Sequence, residues 1–479
     1  MITTILQPYI RKTGLLGFFI LYGTISSYSQ QKITLKQAID STIQNNVQIR
    51  IAQFDADYDK ENLKLAKNAL YPTLNGSVAG FRLYGRSLDP TTNEFADAAV
   101  NLAQGNLFAS VTLFQGFQKL NAIKQNKYLL EANLNNVKKI KNDLTLTVLT
   151  TYLQLLSNRD LLKASKRQLT IAQQELERQQ KFFKVGQKTL ADLSQAQAQL
   201  ANSESNVVNA QNEIERATLI LAQLMERRSP EAYEIVEPNA KESVELNTGV
   251  NSEEIYLKSL EQYPDILLAI NKRQASEKAV AIARGTAYPT LSFGAGLSTS
   301  YSDNLRNAVT TQITGAVPIG IVQNTNATVV APTFLTQSVA FGEQIKRNFN
   351  QVIGFTMVIP LINGSSSRIG IRKAKIRYQT ALAEEELAKL NLSKVVSEAV
   401  WDVQATNKKY KANQVKYKAA ADAFKVIQQR YSVGLADSQD LNIALTSVNI
   451  AEFTMIQSKY DVIFKNKLID YYLGNQISF

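Results

Sequence analysis

The sequence predicts a mainly α-helical protein with a transmembrane β portion, its long coiled-coil-like helical hairpins joined to short amphipathic strands in an internal tandem repeat. Three observations predict it. Tyr71-Pro72-Thr73-Leu74 recurs 217 positions later as Tyr288-Pro289-Thr290-Leu291. Leu113-Phe114-Gln115-Gly116 is echoed 248 positions later by Leu361-Ile362-Asn363-Gly364, as is Phe183-Lys184-Val185-Gly186 with Asp192-Leu193 by Tyr431-Ser432-Val433-Gly434 with Asp440-Leu441. Two runs of more than sixty residues hold neither glycine nor proline. One order of elements (helix, two strands, long helix, helix) is therefore written twice, and the change of offset places about 31 extra residues between the second pair of strands. The chain divides into residues 1–29, 30–250 and 251–479, the last two being the repeats.

Residues 1–29 have the pattern of a cleavable export signal: Arg11 and Lys12, an apolar run from Leu15 to Tyr22, and Ser27-Tyr28-Ser29 before Gln30. The run is too short for a permanent membrane span, and no other segment is long and apolar enough. The first strand of each copy follows its Tyr-Pro pair. Leu291, Phe293, Ala295, Leu297, Thr299 and Tyr301 alternate with Ser292, Gly294, Gly296, Ser298 and Ser300. Phe349, Gln351, Ile353, Phe355, Met357 and Ile359 alternate with more polar neighbours, and so do Leu107, Ala109, Val111 and Leu113. The strand from Leu74 to Tyr84 is the least regular. Ten-residue segments with one apolar face mark a transmembrane β-barrel. Four such strands cannot close one, and open edges are not tolerated in lipid, so a dimer of eight strands or a trimer of twelve is required. An eight-stranded barrel is filled by its own side chains, so only the larger ring leaves a channel.

The breaker-free runs from Gly116 to Gly186 and from Ile371 to Val433 are rich in good helix formers and would reach roughly 100 Å at 1.5 Å per residue. Leu130, Leu134, Val137, Ile140, Leu144, Val148, Tyr152 and Leu155, then Leu162, Leu169 and Leu176, lay one apolar stripe along the first run. Val185-Gly186 and Val433-Gly434 supply left-handed helix ends. Thr189 with Asp192 and Asp437 with Asp440 have capping-box spacing for the helices that follow.

Composition excludes much chemistry. The 479 residues hold no cysteine and no histidine, which removes Ser-His-Asp and Cys-His nucleophiles, disulfides and zinc sites built on those ligands. Four scattered methionines make no soft-metal path, and no cofactor is expected. The net charge of +12 is spread along helices among Glu, Asp and Gln, the pattern of solvated faces, so no nucleic-acid partner is expected. A secreted hydrolase would be left with an unclustered carboxylate pair. A coiled-coil structural or adhesive protein would explain the helices but not the repeated strands.

Taken together, these residues resemble the TolC-type outer-membrane efflux family over essentially the whole mature chain, from Thr34-Leu35-Lys36-Gln37-Ala38 to Leu473-Gly474. The most specific piece is Arg430-Tyr431-Ser432-Val433-Gly434 followed by Asp440-Leu441. The resemblance implies a homotrimer with one twelve-stranded β-barrel in outer-membrane lipid and a periplasmic α-barrel below it. It implies a passive exit duct for efflux or type I secretion, contacting a periplasmic adaptor (membrane fusion) protein and an inner-membrane pump or ABC transporter. It places Val185, Gly186, Val433, Gly434 and Leu435 in the adaptor contact and Asp440 at the periplasmic gate; Asp192 and Tyr431 are further gate candidates, the aspartates serving otherwise as helix caps and Tyr431 as a space-filling aromatic at the helix end. Residues from Glu226 to Ser252 would form the equatorial connector, and those between about Ser302 and Arg347 the larger extracellular loop. The family pattern is incomplete here, with Ile443 at the position of a second gate aspartate and Ala436 where some relatives have arginine. A threefold ring of Asp440 would still gather three carboxylates and favour cations.

Overall fold

The structure is a computed structural model that describes residues 31–89, 93, 95–96, 99–227, 233–236, 251–308 and 313–475. The export-signal segment and most of the expected equatorial connector lie outside the described residues. In chain order, β1 (Gln31–Ile33), α1 (Leu35–Asn45) and α2 (Val47–Asn68) lead into β2 (Thr73–Leu83). Then come β3 (Ser87–Leu88), β4 (Phe95–Ala96), β5 (Val100–Gln115), α3 (Gln118–Lys184), α4 (Leu190–Leu224) and β6 (Tyr233–Ile235). The second half starts with α5 (Ser252–Gln262), α6 (Pro264–Gly285) and β7 (Thr290–Ser302). It continues through β8 (Arg306–Ala308), β9 (Gly315–Ile321), β10 (Thr328–Thr333), β11 (Thr336–Ser338), α7 (Phe341–Arg347), β12 (Asn350–Val358), α8 (Ser366–Ser432) and α9 (Ser438–Tyr472).

Helix lengths repeat without change. α1 and α5 have 11 residues each, α2 and α6 have 22, α3 and α8 have 67, and α4 and α9 have 35. Core positions repeat too. Val148, Leu155 and Leu221 of the first apolar cluster stand 248 positions before Val396, Val403 and Ile469 of the second. Each cluster lies where the short helices meet the long hairpin. In the first, Tyr152 is buried and its hydroxyl donates to the carbonyls of Ile33 (3.1 Å) and Val236 (2.6 Å), pinning the parallel β1–β6 pair onto α3. The second cluster is edged by the rings of Tyr263, Tyr471 and Tyr472, which meet edge-on or tilted.

The apolar stripe on α3 holds only in its upper half. Val137, Leu144, Val148, Tyr152 and Leu155 are buried, whereas Leu134 is exposed and Leu162, Leu169 and Leu176 are half-buried. Lower down, the buried residues of α3 are Ala164, Ser165, Gln168, Ala172 and Gln179. The buried residues of α4 at this level, Ala196 and Ser203, are small as well, and the leucines of α3 are only half-buried. α3 packs on α4 and α9, and α9 on α8, so α3 and α9 each have two long neighbours and their apolar residues serve two seams.

The four long strands form one antiparallel sheet in the order β12-β7-β5-β2. The least regular strand in sequence, β2, pairs with β5 over its whole length. Paired positions put Leu74, Val78, Leu107, Ala109, Val111, Phe293, Ala295, Leu297, Ile353, Phe355 and Met357 on one face. The other face carries Asn75, Ser77, Asn106, Ser110, Ser292, Ser298, Asn350 and Thr356. A register shift between Thr112 and Phe114 removes Leu113 from the alternation, and Phe114 pairs with Leu291 instead. Gly294 and Gly296 find a reason on the polar face, because a Cβ at either would stand 2.9 Å from the Phe108 ring that covers them. The sheet is a single layer, and among the described residues β2 and β12 each have one edge without a strand partner.

All four strands meet the helices at the same end of the sheet. At that corner each copy places two successive residues in the left-handed region, Gly116 and Phe117 in the first and Gly364 and Ser365 in the second. Gly116 also touches Gly285 of α6, where a Cβ would lie 2.5 Å from the Gly285 carbonyl oxygen. At the opposite end, the loop after β7 contains β8 paired with β11, α7, and a separate β9–β10 hairpin. Among the described residues, no helix is long and apolar enough to cross a membrane.

Candidate functional site

The ends of the two long hairpins carry every residue singled out for gating or adaptor contact. α3 and α8 stop in the same way. Gly186 has φ +73° and Gly434 φ +81°. In the first, Gln187 N–H donates to Phe182 O (2.9 Å) and Gly186 N–H to Phe183 O (3.0 Å). In the second, Leu435 N–H donates to Arg430 O (2.8 Å) and Gly434 N–H to Tyr431 O (3.2 Å). This paired bonding is the Schellman end, which satisfies the last carbonyls and turns the chain sharply. It leaves Val185, Val433 and Leu435 exposed at 67%, 69% and 69%.

α4 and α9 then start from reciprocal capping boxes. Thr189 and Asp192 cap each other's backbone N–H groups, and so do Asp437 and Asp440. The two aspartates differ beyond that. Asp440 is exposed, lining a shallow groove with Gln187, Lys188, Leu435 and Ala436. Asp192 also accepts from Ser438 Oγ (2.8 Å), which joins the start of α4 to the start of α9. The N–H of Thr189, then the hydroxyls of Ser438 and Thr189, hold its carboxyl down at about 2.

Tyr431 lies between the hairpins, 3% exposed. Its hydroxyl donates to Glu175 Oε1 of α3 (2.6 Å) and accepts from Gln179 Nε2, which also donates to Glu175 Oε1 (2.7 Å). Arg178 places its guanidinium 4.3 Å from the ring centroid and donates from Nη2 to the Tyr431 carbonyl (3.1 Å). Burial first, and then donation to Glu175, raises the phenol pKa above its ordinary value, so the hydroxyl stays a donor at any working pH. The geometry thus brings Tyr431 and Asp192 into one inter-hairpin tie, around a cavity of about 220 Å³ lined by Glu175, Gln179, Asp192, Tyr431 and Ser438, with Asp440 outside it.

Glu175, Arg178, Gln179 and Ser438 were not singled out from sequence. The duplication itself carries the missing signal. The positions 248 residues after Glu175, Arg178 and Gln179 are Ala423, Val426 and Ile427, so polar side chains of the first copy replace apolar ones of the second. Among the described residues, no group of three His, Cys, Asp or Glu side chains converges as a metal site.

The sequence model of the family described as Outer membrane efflux protein matches residues 38–226 and again 255–474. The chain belongs to that family. CusC of Escherichia coli O157:H7, a cation efflux system protein, is 25% identical over 281 residues, which is 56% of each chain. The match thus spans about half the length of that curated relative. Outer-membrane efflux channels also share the fold. A solved structure of CusC superposes with a TM-score of 0.76 at 18% identity, covering 98% of this chain and 99% of that one. The outer membrane protein VceC of Vibrio cholerae superposes with a TM-score of 0.75 at 17% identity, covering 92% and 96%. The single-layer sheet and the long hairpins are therefore the membrane and periplasmic parts of an outer-membrane efflux fold, and its members are channels rather than enzymes.

Proposed function

We propose that this protein is the outer-membrane exit duct of a tripartite efflux or type I secretion system, conducting small molecules or proteins passively to the exterior. The observation that carries the reading is the sheet. Four strands with one apolar face and, among the described residues, no sheet packed on either side and two open edges are complete only when copies close into a barrel. Three copies give twelve strands and a lumen lined by the Ser, Asn and Gly face, continuous with the long hairpins below. Residues 30–250 and 251–479 act as two pseudo-equivalent wall units in each protomer.

The tips carry the two regulated contacts. Val185, Gly186, Val433, Gly434 and Leu435 meet a periplasmic adaptor, since exposed apolar side chains on rigid Schellman turns offer a surface of fixed shape. Tyr431 and Asp192 hold the hairpins of one protomer together, and Asp440, free of that tie, is placed to face its copies across the duct. The inner-membrane pump or ABC transporter supplies energy and selects cargo. Native mass in mild detergent, measured on the outer-membrane fraction, tests the assembly. A stable trimer is expected, and a water-soluble monomer or dimer would overturn the duct. Replacing Asp440 with Ala in the trimer should weaken cation preference in planar bilayers, and unchanged selectivity would leave Asp440 a helix cap alone.

A further inference from the structure

The loop at the outer end of the sheet holds a hairpin whose apolar side chains are exposed among the described residues of its own protomer. β9 and β10 pair around a turn at Val322–Ala327, closed by Val322 N–H to Ala327 O (2.9 Å) with Asn326 left-handed. Cross-strand partners share a face, and here both faces are apolar. Val317 pairs with Ala331 on one side and Pro318 with Val330 on the other. Val317, Ile319, Ile321, Val329 and Val330 are 42–68% exposed. From Asn307 to Gly342 there is not one charged residue, the longest uncharged stretch of the sequence. Strands that are apolar on both faces are normally buried on both.

The base of the loop, by contrast, is polar and tightly held. Gln344 is buried, accepts from Ser302 N–H (2.9 Å) and donates to the carbonyls of Ser302 and Val339 (2.9 Å each). Asp303 accepts from Asn101 N–H (2.9 Å), and Arg347 donates to Asn307 (2.8 Å). These charges, with Arg306, Glu343 and Lys346, form a collar between the apolar band of the sheet and the hairpin.

The collar decides between coverings. Charged side chains sit at the water side of a bilayer, so a hairpin beyond them stands outside the hydrocarbon. Its two unpaired backbone edges would also be intolerable in lipid. Addition of a further strand is hindered, because Pro318 and Pro332 interrupt the edge donors. Packing of side chains on the faces remains. Through β11 and α7 the loop runs into β12, one of the two strands with an open sheet edge, so the hairpin rises beside a seam where the next copy begins.

We propose that the three β9–β10 hairpins of the trimer pack face to face above the barrel, forming an apolar lid over its outer mouth. This rests on the trimeric barrel proposed above, and the experiment separates the two. The chain has no cysteine, so Val317→Cys, Ile319→Cys, Ile321→Cys and Val330→Cys each introduce a single thiol. Native mass of each variant is measured first, and the intact trimer is then treated with a short bis-maleimide and run on a denaturing gel. Expected are trimers by native mass and covalent dimers at two or more positions, at least five-fold above the same variant unfolded before treatment. Trimers with no such dimers at any position overturn the lid and leave the barrel standing. In that case, quenching of a thiol-linked fluorophore by brominated lipid would identify the bilayer as the covering. Loss of the trimer in the unsubstituted protein would overturn both.

Discussion

At the scale of single residues, the tie at the tips is asymmetric although the fold around it is duplicated. Tyr431 replaces Phe183 of the first copy, and the acceptor it needs, Glu175, replaces what is Ala423 in the second. Only one hairpin carries the donor and only the other carries the acceptor. Tyr431→Phe should therefore weaken the inter-hairpin contact by about 1–3 kcal/mol, since Glu175 and Gln179 lose a buried partner. More frequent opening in single-channel records is the expected readout. Asp192 adds a pH dependence. Its folded-state pKa lies below the unfolded value, so its stabilisation is complete above about 4 and is lost as pH falls towards about 2. Amide exchange at the start of α4 and α9 should accelerate over that window, and Asp192→Asn should remove the change. The turns and caps were legible in sequence because Val-Gly and the Thr189/Asp192 and Asp437/Asp440 spacings are local chemistry. The Tyr431 tie was not, because its partners lie more than 250 positions away and become neighbours only when the end of α8 is brought against α3.

Elements tell a similar story about what sequence can carry. The long helices were legible from the absence of breakers, and their ends from the repeat offset. Which side each helix buries was only half legible, since Leu162, Leu169 and Leu176 of the α3 stripe are half-buried while Ala164 and Ala172 are buried. A sevenfold step identifies a seam without saying which of two neighbours it serves. The strands were legible by alternation, apart from the shift at Leu113, which no alternation reveals. At the corner between sheet and helix, Gly116 combines a left-handed φ with contact against Gly285, so Gly116→Ala is expected to cost about 2 kcal/mol or more. A lower detergent-melting midpoint for the assembled protein would show it, whereas Gly370→Ala in open space on α8 should leave the midpoint nearly unchanged.

For the whole molecule, the two faces of one strand should answer differently to the same charge. Val78 is 89% exposed on the apolar face of β2, and Ser77 points the other way. Val78→Arg places a guanidinium against lipid and should destabilise the barrel by about 2–4 kcal/mol, seen as loss of the heat-resistant oligomer. Ser77→Arg should keep the oligomer and shift ion selectivity towards anions. Equal loss of the oligomer in both would mean that the sheet is not one wall between lipid and water. Shortening the loop between Ser302 and Arg347 should spare assembly, because the four long strands pair without it.

The sheet also has a consequence in time. Its two halves are joined only through β5 and β7, whose partners, such as Leu102 with Ser302, stand 200 positions apart. No wall segment can be finished until the second copy has been synthesised and exported, and contacts of such sequence separation form slowly. Until then β2 and β5 are a two-stranded ribbon with an apolar face and nothing to bury it, a species prone to aggregation. The exposure of that half-finished strand pair therefore lasts as long as the remaining chain takes to arrive, which makes its aggregation a matter of timing as well as of stability.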